Sequence, residues 1–296
     1  MKHKEFKNAL KETVTEVNEA LNRYLPDGKP GIIHESMAYS VNAGGKRLRP
    51  ALTLWTAQLL DGDKEQVMPT ACAMEFIHTY SLIHDDLPCM DDDDLRRGKP
   101  TNHIKYDEAT ALLAGDGLLT RAFELIAENQ GNGIDSTRLL KVIKEIGNAA
   151  GSKGMIGGQV VDMLSEGKEI DLETLKYIHA HKTGALFRAC IRSGAILSGA
   201  SEKDLERLTD FADYLGLSFQ ITDDILDVVG DEEKLGKPVG SDEEHVKATY
   251  PALVGLEESK RLAAEAVEKG KETLKAYGDK AVLFTQLLDF ILTREN

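Results

Sequence analysis

Six aspartates fall between positions 85 and 94, in the stretch Ser81-Leu-Ile-His84-Asp85-Asp86-Leu-Pro88-Cys89-Met90-Asp91-Asp92-Asp93-Asp94-Leu-Arg96-Arg97-Gly98. Carboxylates about 4 Å apart repel by roughly 1 kcal/mol in water and about 4 kcal/mol at the effective dielectric of a protein surface. The stretch is therefore either a solvated acidic loop or a cation site. An apolar segment, Phe76 to His84, leads into it and two arginines follow, which favours the cation site. A second acidic group lies late in the chain, Phe219-Gln220-Ile-Thr222-Asp223-Asp224-Ile225-Leu226-Asp227. On a helix, residues four apart lie about 40° from each other, so Asp223 and Asp227 project from one face as half of a metal cage.

Asp85 and Asp91 are six apart and would be separated by about 120° on an ideal helix. Pro88 interrupts such a helix, so a helix end or a bulge must bring Asp91 round. An all-oxygen ligand set favours a hard cation, and few protein ligands per ion, with room for water and phosphate oxygens, favour magnesium over calcium. No register starting within Asp91 to Asp94 has the glycine an EF-hand needs at its sixth position.

Anions need a cationic counterpart. Lys46 and Arg49 stand three apart after Gly44-Gly45 at an expected helix start, where free N–H groups and the helix dipole favour an anion; taken alone they read as surface charges. His78 lies two helical turns before Asp85, and a lone histidine there is more often a satisfied core residue. Arg96, Arg97, Lys182-Thr183-Gly184, Lys237 and Lys247 are further candidates for phosphate contact.

Helices must position these groups. Phe6, Leu10, Val14, Val17, Leu21 and Leu25 recur at helical spacing over residues 4 to 25. Further helices are expected over 33 to 41, 46 to 60 and 64 to 87, followed by a loop from 91 to 104. Asp107 caps the next helix, which reaches Ala127. Helical patterns continue over 135 to 149, 152 to 165, 171 to 181, 184 to 198, 201 to 228, 248 to 256, 257 to 276 and 280 to 293. Period-2 alternation is nowhere sustained, which predicts an all-α multi-helix bundle, read as one domain over 1 to 296.

Composition agrees with a globular protein: 42% hydrophobic and 29% charged in 296 residues. The formal charge of −14 opposes a nucleic-acid or anionic-membrane partner. Three scattered cysteines, Cys72, Cys89 and Cys190, suggest neither a disulfide framework nor a zinc site, and a reducing cytosol fits. No apolar run approaches the length of a membrane span, so a cytoplasmic location is expected.

Together the motifs GGKRLRP (44 to 50), SLIHDDLPCMDDDDLRRGKPTNH (81 to 103), GGQVVD (157 to 162), HKTGALFR (181 to 188), FQITDDILD (219 to 227), LGKPVGSD (235 to 242) and KATYPALVG (247 to 255) resemble the short-chain trans-isoprenyl diphosphate synthases, and within them the bacterial farnesyl type. The resemblance implies the isoprenoid synthase fold with a central metal-lined cavity, and a homodimer. It implies that Asp85, Asp86, Asp91, Asp223, Asp224 and Asp227 hold about three Mg2+ ions, or Mn2+ in their place, on the diphosphate of an allylic substrate. Arg96, Lys182, Lys237 and Lys247 would contact that diphosphate. Lys46, Arg49, His78 and Arg97 would bind isopentenyl diphosphate, Thr183 and Gln220 would line the reacting carbons, and Asp162 would support the metal shell.

If the prenyl tail runs along the helix away from Asp85, then Ser81, Tyr80 and Ile77 form successive floors, one turn of about 5.4 Å being of the order of one isoprene unit. A bulky Tyr80 stops growth early, at fifteen carbons. A geranylgeranyl synthase shares the Pro88-Cys89 insertion but lacks that aromatic. A class I terpene cyclase would carry a different second metal motif, and a non-catalytic partner subunit would have lost ligands. Only Arg294 in the C-terminal segment offers the basic charge with which some relatives close the site, which argues against closure here.

Overall fold

Apolar residues at three- and four-residue spacing wind most of the chain into helix. The structure, a computed structural model, describes residues 2–229 and 248–294, with the backbone alone for residues 2–4. The helices gather into two units, one drawn from residues 8–143 and the other from residues 1–7 and 144–296.

The first unit contains most of α1 (Lys2–Tyr24), then α2 (Gly31–Val41), α3 (Leu48–Leu59), α4 (Lys64–Asp85), a short α5 (Asn102–Lys105), α6 (Glu108–Glu128) and the start of α7 (Ser136–Ala150). Its centre is α4. Buried positions run all round this helix, from Val67 and Met68 through Cys72, Met74 and Phe76 to Tyr80 and Ile83, the pattern of a helix covered on every side. Asp63 caps its start by accepting from the Glu65 amide at 2.9 Å, which satisfies one of the orphan donors there. Packing against α6 is close enough that Gly115 has no room for a methyl group, because the His84 ring fills the space.

One buried ion pair ties this unit together. Arg47 stands just before α3 in a left-handed conformation (φ 47°). It reaches Glu75 of α4 at 2.7 Å, with side-chain exposures of 1% and 2%, and also donates to Asn18 Oδ1 at 2.9 Å and to the Val41 carbonyl at 2.6 Å. One guanidinium therefore joins α1, α2, α3 and α4. Neither Arg47 nor Glu75 stood out in the sequence, where Arg47 is the unmarked member of Lys46-Arg47-Leu48-Arg49.

The second unit contains α8 (Met155–Ser165), α9 (Leu172–Ile178), a π-helical turn (His179–Gly184), α10 (Ala185–Leu197), α11 (Glu202–Val229), α12 (Tyr250–Val254), α13 (Leu256–Leu274), a 3-10 segment (Lys275–Ala281) and α14 (Val282–Thr293). The 28-residue α11 is its axis and packs against α10, α12, α13 and α14. Leu175, Ile221, Tyr250 and Ala263 form one buried cluster beside it.

The all-α expectation holds, with three local differences. Residues 91 to 104 are not a plain loop: Leu95–Arg96 and Lys99–Pro100 pair as a minimal antiparallel hairpin, and α5 follows. Its turn places Arg97 and Gly98 at φ 55° and 73°, the two positive values that a type I′ hairpin requires. The expected break between residues 181 and 184 does not occur, because the π turn carries α9 into α10 without interruption. The helix expected from 46 begins at Leu48, since Arg47 is left-handed. Among the described residues no helix is long and apolar enough to cross a membrane.

The Arg47–Glu75 pair makes a direct stability prediction. Arg47→Met leaves Glu75 buried and uncompensated and should lower unfolding stability by about 3–5 kcal/mol, read from the urea midpoint. Replacing both members by apolar residues should restore most of the loss. A single-variant loss below about 1 kcal/mol would show that the pair does not hold this unit.

Candidate active site

Pro88 has no N–H to continue the ladder of α4, and the chain turns instead. Asp86 N–H donates to the Leu82 carbonyl at 3.1 Å and Leu87 N–H to that of His84 at 3.2 Å, after which Met90 N–H returns to Leu87 at 2.8 Å. The closing bond is the decisive one: Asp91 N–H donates to the Asp85 carbonyl at 2.9 Å. Asp92 follows at φ 53°. The two carboxylate-bearing residues, six apart in sequence, thus begin from adjacent backbone positions, and the five residues between them form the bulge that the sequence required.

Asp86 points elsewhere. It is 3% exposed and accepts from Arg96 Nε at 2.6 Å, while Arg96 Nη2 also reaches Asp93 Oδ2 at 3.2 Å. Burial raises the Asp86 pKa above the usual carboxylate range, and Arg96 partly offsets that rise. The hairpin that carries Arg96 is held from both ends. Thr101 Oγ1 donates to the Asp93 carbonyl at 2.7 Å, and Asn102 Nδ2 donates to Ser36 O and Ser40 Oγ on α2 at 3.0 and 2.8 Å. Thr101 and Asn102 are positioning residues that the sequence contained in the TNH end of the motif without revealing their role. A cleft of about 380 Å³ within this unit is lined by Thr79, Leu82, Ile83 and Asp86 of α4 together with Arg96 and Arg97.

Arg97 turns to the glycine pair. Its Nη1 donates to the Gly44 carbonyl, and a Cβ on Gly45 would lie 2.7 Å from the same nitrogen. The glycines of GGKRLRP therefore serve a second purpose beyond the turn, since they let a guanidinium lie against the backbone. His78 is half-buried near these groups. Burial first, then the positive charges of Arg49, Arg97, Arg96 and Arg47, hold its pKa well below the usual histidine value. The structure thus draws Arg49, His78 and Arg97 into one electropositive neighbourhood beside exposed Lys46.

Tyr80 is 5% exposed and stands edge-on to His84 with ring centroids 5.7 Å apart. Its hydroxyl has no hydrogen-bond partner, and burial followed by the Asp85 charge pushes its pKa up to about 12. Ser81 Oγ donates to the His78 carbonyl at 2.9 Å, and Ile77 is fully buried. None of the three lines the cleft that holds Arg96 and Arg97.

In the second unit the acidic residues of α11 differ in burial. Asp224 is buried and accepts from the Tyr250 amide at 2.8 Å, with His179 Nε2 at 3.8 Å from its other oxygen. Asp227 is also buried, whereas the Asp223 side chain is 45% exposed. Lys182 and Thr183 belong to the π turn, and Lys182 Nζ donates to Asp162 Oδ2 at 2.7 Å. Gly158 of α8 explains how the turn is approached: a Cβ there would clash with the Lys182 backbone. The GGQVVD motif is thus a packing surface for HKTG as well as the source of Asp162. Gln220 is half-buried on α11, one residue after Phe219. Lys237 and Lys247 lie outside the described residues.

Among the described residues no three histidine, cysteine or carboxylate side chains form a ready-made metal cage. Paired carboxylates that leave the remaining positions to water and phosphate oxygens are the usual way proteins hold magnesium. Asp85 with Asp91, and Asp223 with its helical neighbour Asp227, fit that donor set.

The polyprenyl synthetase family profile matches residues 30–282. The chain belongs to that family. It is accordingly a prenyltransferase. It is 47% identical over 289 residues to a farnesyl diphosphate synthase of Geobacillus stearothermophilus, covering 97% of each chain. It is 50% identical over 281 residues to a geranylgeranyl diphosphate synthase of Cyanophora paradoxa, covering 95% of this chain and 93% of that one. Among solved structures it is similar to an apo FPP/GFPP synthase of Zymomonas mobilis, with a TM-score of 0.88, 35% identity, and coverage of 98% and 100%.

The His78 environment makes a pH prediction. Its folded pKa lies below its unfolded value near 6.5, so the unfolded chain takes up the proton first as pH falls. The associated stability is complete above about pH 6.5 and is lost below it. Urea midpoints at pH 7.5 and 5.5 should fall further apart in the wild type than in His78→Gln. Equal differences in the two proteins would contradict a neutral His78.

Proposed function

We propose that this prenyltransferase condenses isopentenyl diphosphate with dimethylallyl and then geranyl diphosphate to give (2E,6E)-farnesyl diphosphate and inorganic diphosphate. The observation that carries this reading is the end of α4, where the Asp91 amide closes on the Asp85 carbonyl while Tyr80, one turn earlier, fills the interior with a buried aromatic ring. The first feature supports a role for Asp85 and Asp91 as paired metal ligands. The second supports the shorter product, with Tyr80 and Ser81 as the chain-length positions.

Asp85, Asp91, Asp223 and Asp227 would hold Mg2+, about three ions with Mn2+ as an alternative, and Asp86 and Asp224 would support them from their buried bonds to Arg96 and the Tyr250 amide. Bound Mg2+ supplies Lewis-acid stabilisation of charge on the departing diphosphate. Arg96, Lys182, Lys237 and Lys247 would add positive charge to the same diphosphate, which favours the transition state over the ground state as the allylic carbon–oxygen bond ionises. Lys46, Arg49, His78 and Arg97 would orient isopentenyl diphosphate. His78 is suited to this as a neutral hydrogen-bonding ring among cations.

Thr183 and Gln220 would flank the reacting carbons, their polar groups facing developing positive charge without adding a nucleophile. The departing diphosphate has oxygens able to accept the final proton, so the chain needs no dedicated catalytic base. Both compact units would act as one domain, which the family match running through both supports. A homodimer in the cytoplasm completes the proposal. Geranylgeranyl diphosphate is the second reading, favoured by the 50% identical Cyanophora relative.

The test is incubation of the purified protein with Mg2+, isopentenyl diphosphate and geranyl diphosphate, followed by chromatography of the dephosphorylated products. Farnesol is the expected alcohol, and Tyr80→Ala should shift product toward twenty carbons. A wild-type twenty-carbon product would move the assignment to the second reading. A cyclic hydrocarbon would indicate a cyclase, and no condensation without a partner chain would indicate a non-catalytic subunit. If Tyr80→Ala still stopped at fifteen carbons, Tyr80 would be ordinary core.

A further inference from the structure

Arg294 follows α14, and its side chain is only 4% exposed. Three contacts converge from it on a single turn of α11. Its Nη2 donates to the Phe219 carbonyl at 3.1 Å and to Asp223 Oδ1, and its guanidinium carbon lies 4.3 Å from the centroid of the Phe219 ring. A planar guanidinium that bonds a carboxylate while covering an aromatic face uses properties lysine lacks. The contact is delivered by packing, because α14 lies against α11 and α13.

Asp223 sits one residue from Asp224 and one helical turn from Asp227, both buried. Like charges so placed disfavour one another's ionised forms unless a cation offsets them. We propose that Arg294 is an internal cation that occupies Asp223 when no metal is bound there, and that it must leave this carboxylate before a divalent ion takes it. The proposal rests on the metal role assigned to Asp223 above. The expectation for Arg294 is only that it does not close the site; the role proposed here is a different one, holding a metal ligand.

Binding then carries a measurable penalty. A ligand that requires the open form has its apparent affinity reduced by the open fraction; if the contact is closed in about 70–90% of free molecules, removing it tightens binding roughly threefold to tenfold. The alternative geometry, in which Arg294 stays and supports the metal shell, predicts the opposite sign.

The experiment is a Mn2+ titration with inorganic diphosphate, read by the electron paramagnetic resonance signal of free Mn2+. Wild type, Arg294→Gln, Arg294→Lys and Asp223→Asn are compared, with thermal melts of each without metal. Asp223→Asn identifies the Mn2+ bound through that carboxylate. Arg294→Gln should bind that ion roughly threefold to tenfold more tightly and melt lower without metal, with Arg294→Lys between it and wild type. Unchanged or weaker Mn2+ binding in a folded Arg294→Gln or Arg294→Lys protein would overturn the proposal. Absence of diphosphate-dependent Mn2+ binding in the wild type would overturn the metal assignment itself, and the proposal with it.

Discussion

The carbonyl of Asp85 has two possible fates. In a continuing helix it would accept the N–H four residues on, at Cys89, but the proline before that residue disfavours the helical path. A buried or half-buried carbonyl must still find a donor, and here it finds the amide of Asp91. That single bond brings the backbone of Asp91 back to that of Asp85 ahead of the arginine hairpin, while Asp86 turns inward toward Arg96. The remaining features of this unit maintain the arrangement. Arg47 and Glu75 fix α3 to α4, Gly115 lets α6 approach His84, and Asn102 anchors the hairpin to α2.

Three cations of the candidate site are paired with carboxylates within the chain. Arg96 is paired with Asp86, Lys182 with Asp162, and Arg294 with Asp223. Each pair joins a cation to a carboxylate from one of the motif stretches of the sequence, and none is fully exposed. In a chain of net charge −14, each pair sets a cation against one of these carboxylates. Divalent ions and diphosphate arriving together would offer both members new partners of opposite charge, so the exchange need not leave either side uncompensated.

Much of this was legible in the residues themselves. Helical spacing gave the long elements, Asp107 marked the start of α6, and the i, i+4 relation of Asp223 and Asp227 followed from helix geometry alone. The hairpin at 95 to 100 was hidden because two-residue strands leave no alternation to detect, although Arg97-Gly98 is chemically compatible with its turn. The π turn was hidden because one inserted residue shifts the helical phase without a breaker residue, and a glycine at 184 looks like a helix end. Its packing partner lies on another helix, where Gly158 admits the Lys182 backbone. Arg47 and Glu75 were hidden for a related reason: spacing cannot distinguish a charge that will be buried with a distant partner from one that will face solvent.

The central claim is that the turn after α4 makes Asp85 and Asp91 a joint cation site. It is tested most directly by anomalous diffraction from crystals grown with Mn2+ and inorganic diphosphate. The account predicts Mn2+ density within coordination distance of carboxylate oxygens from both Asp85 and Asp91. Density on Asp85 without Asp91, or confined to Asp92, Asp93 and Asp94, would contradict it.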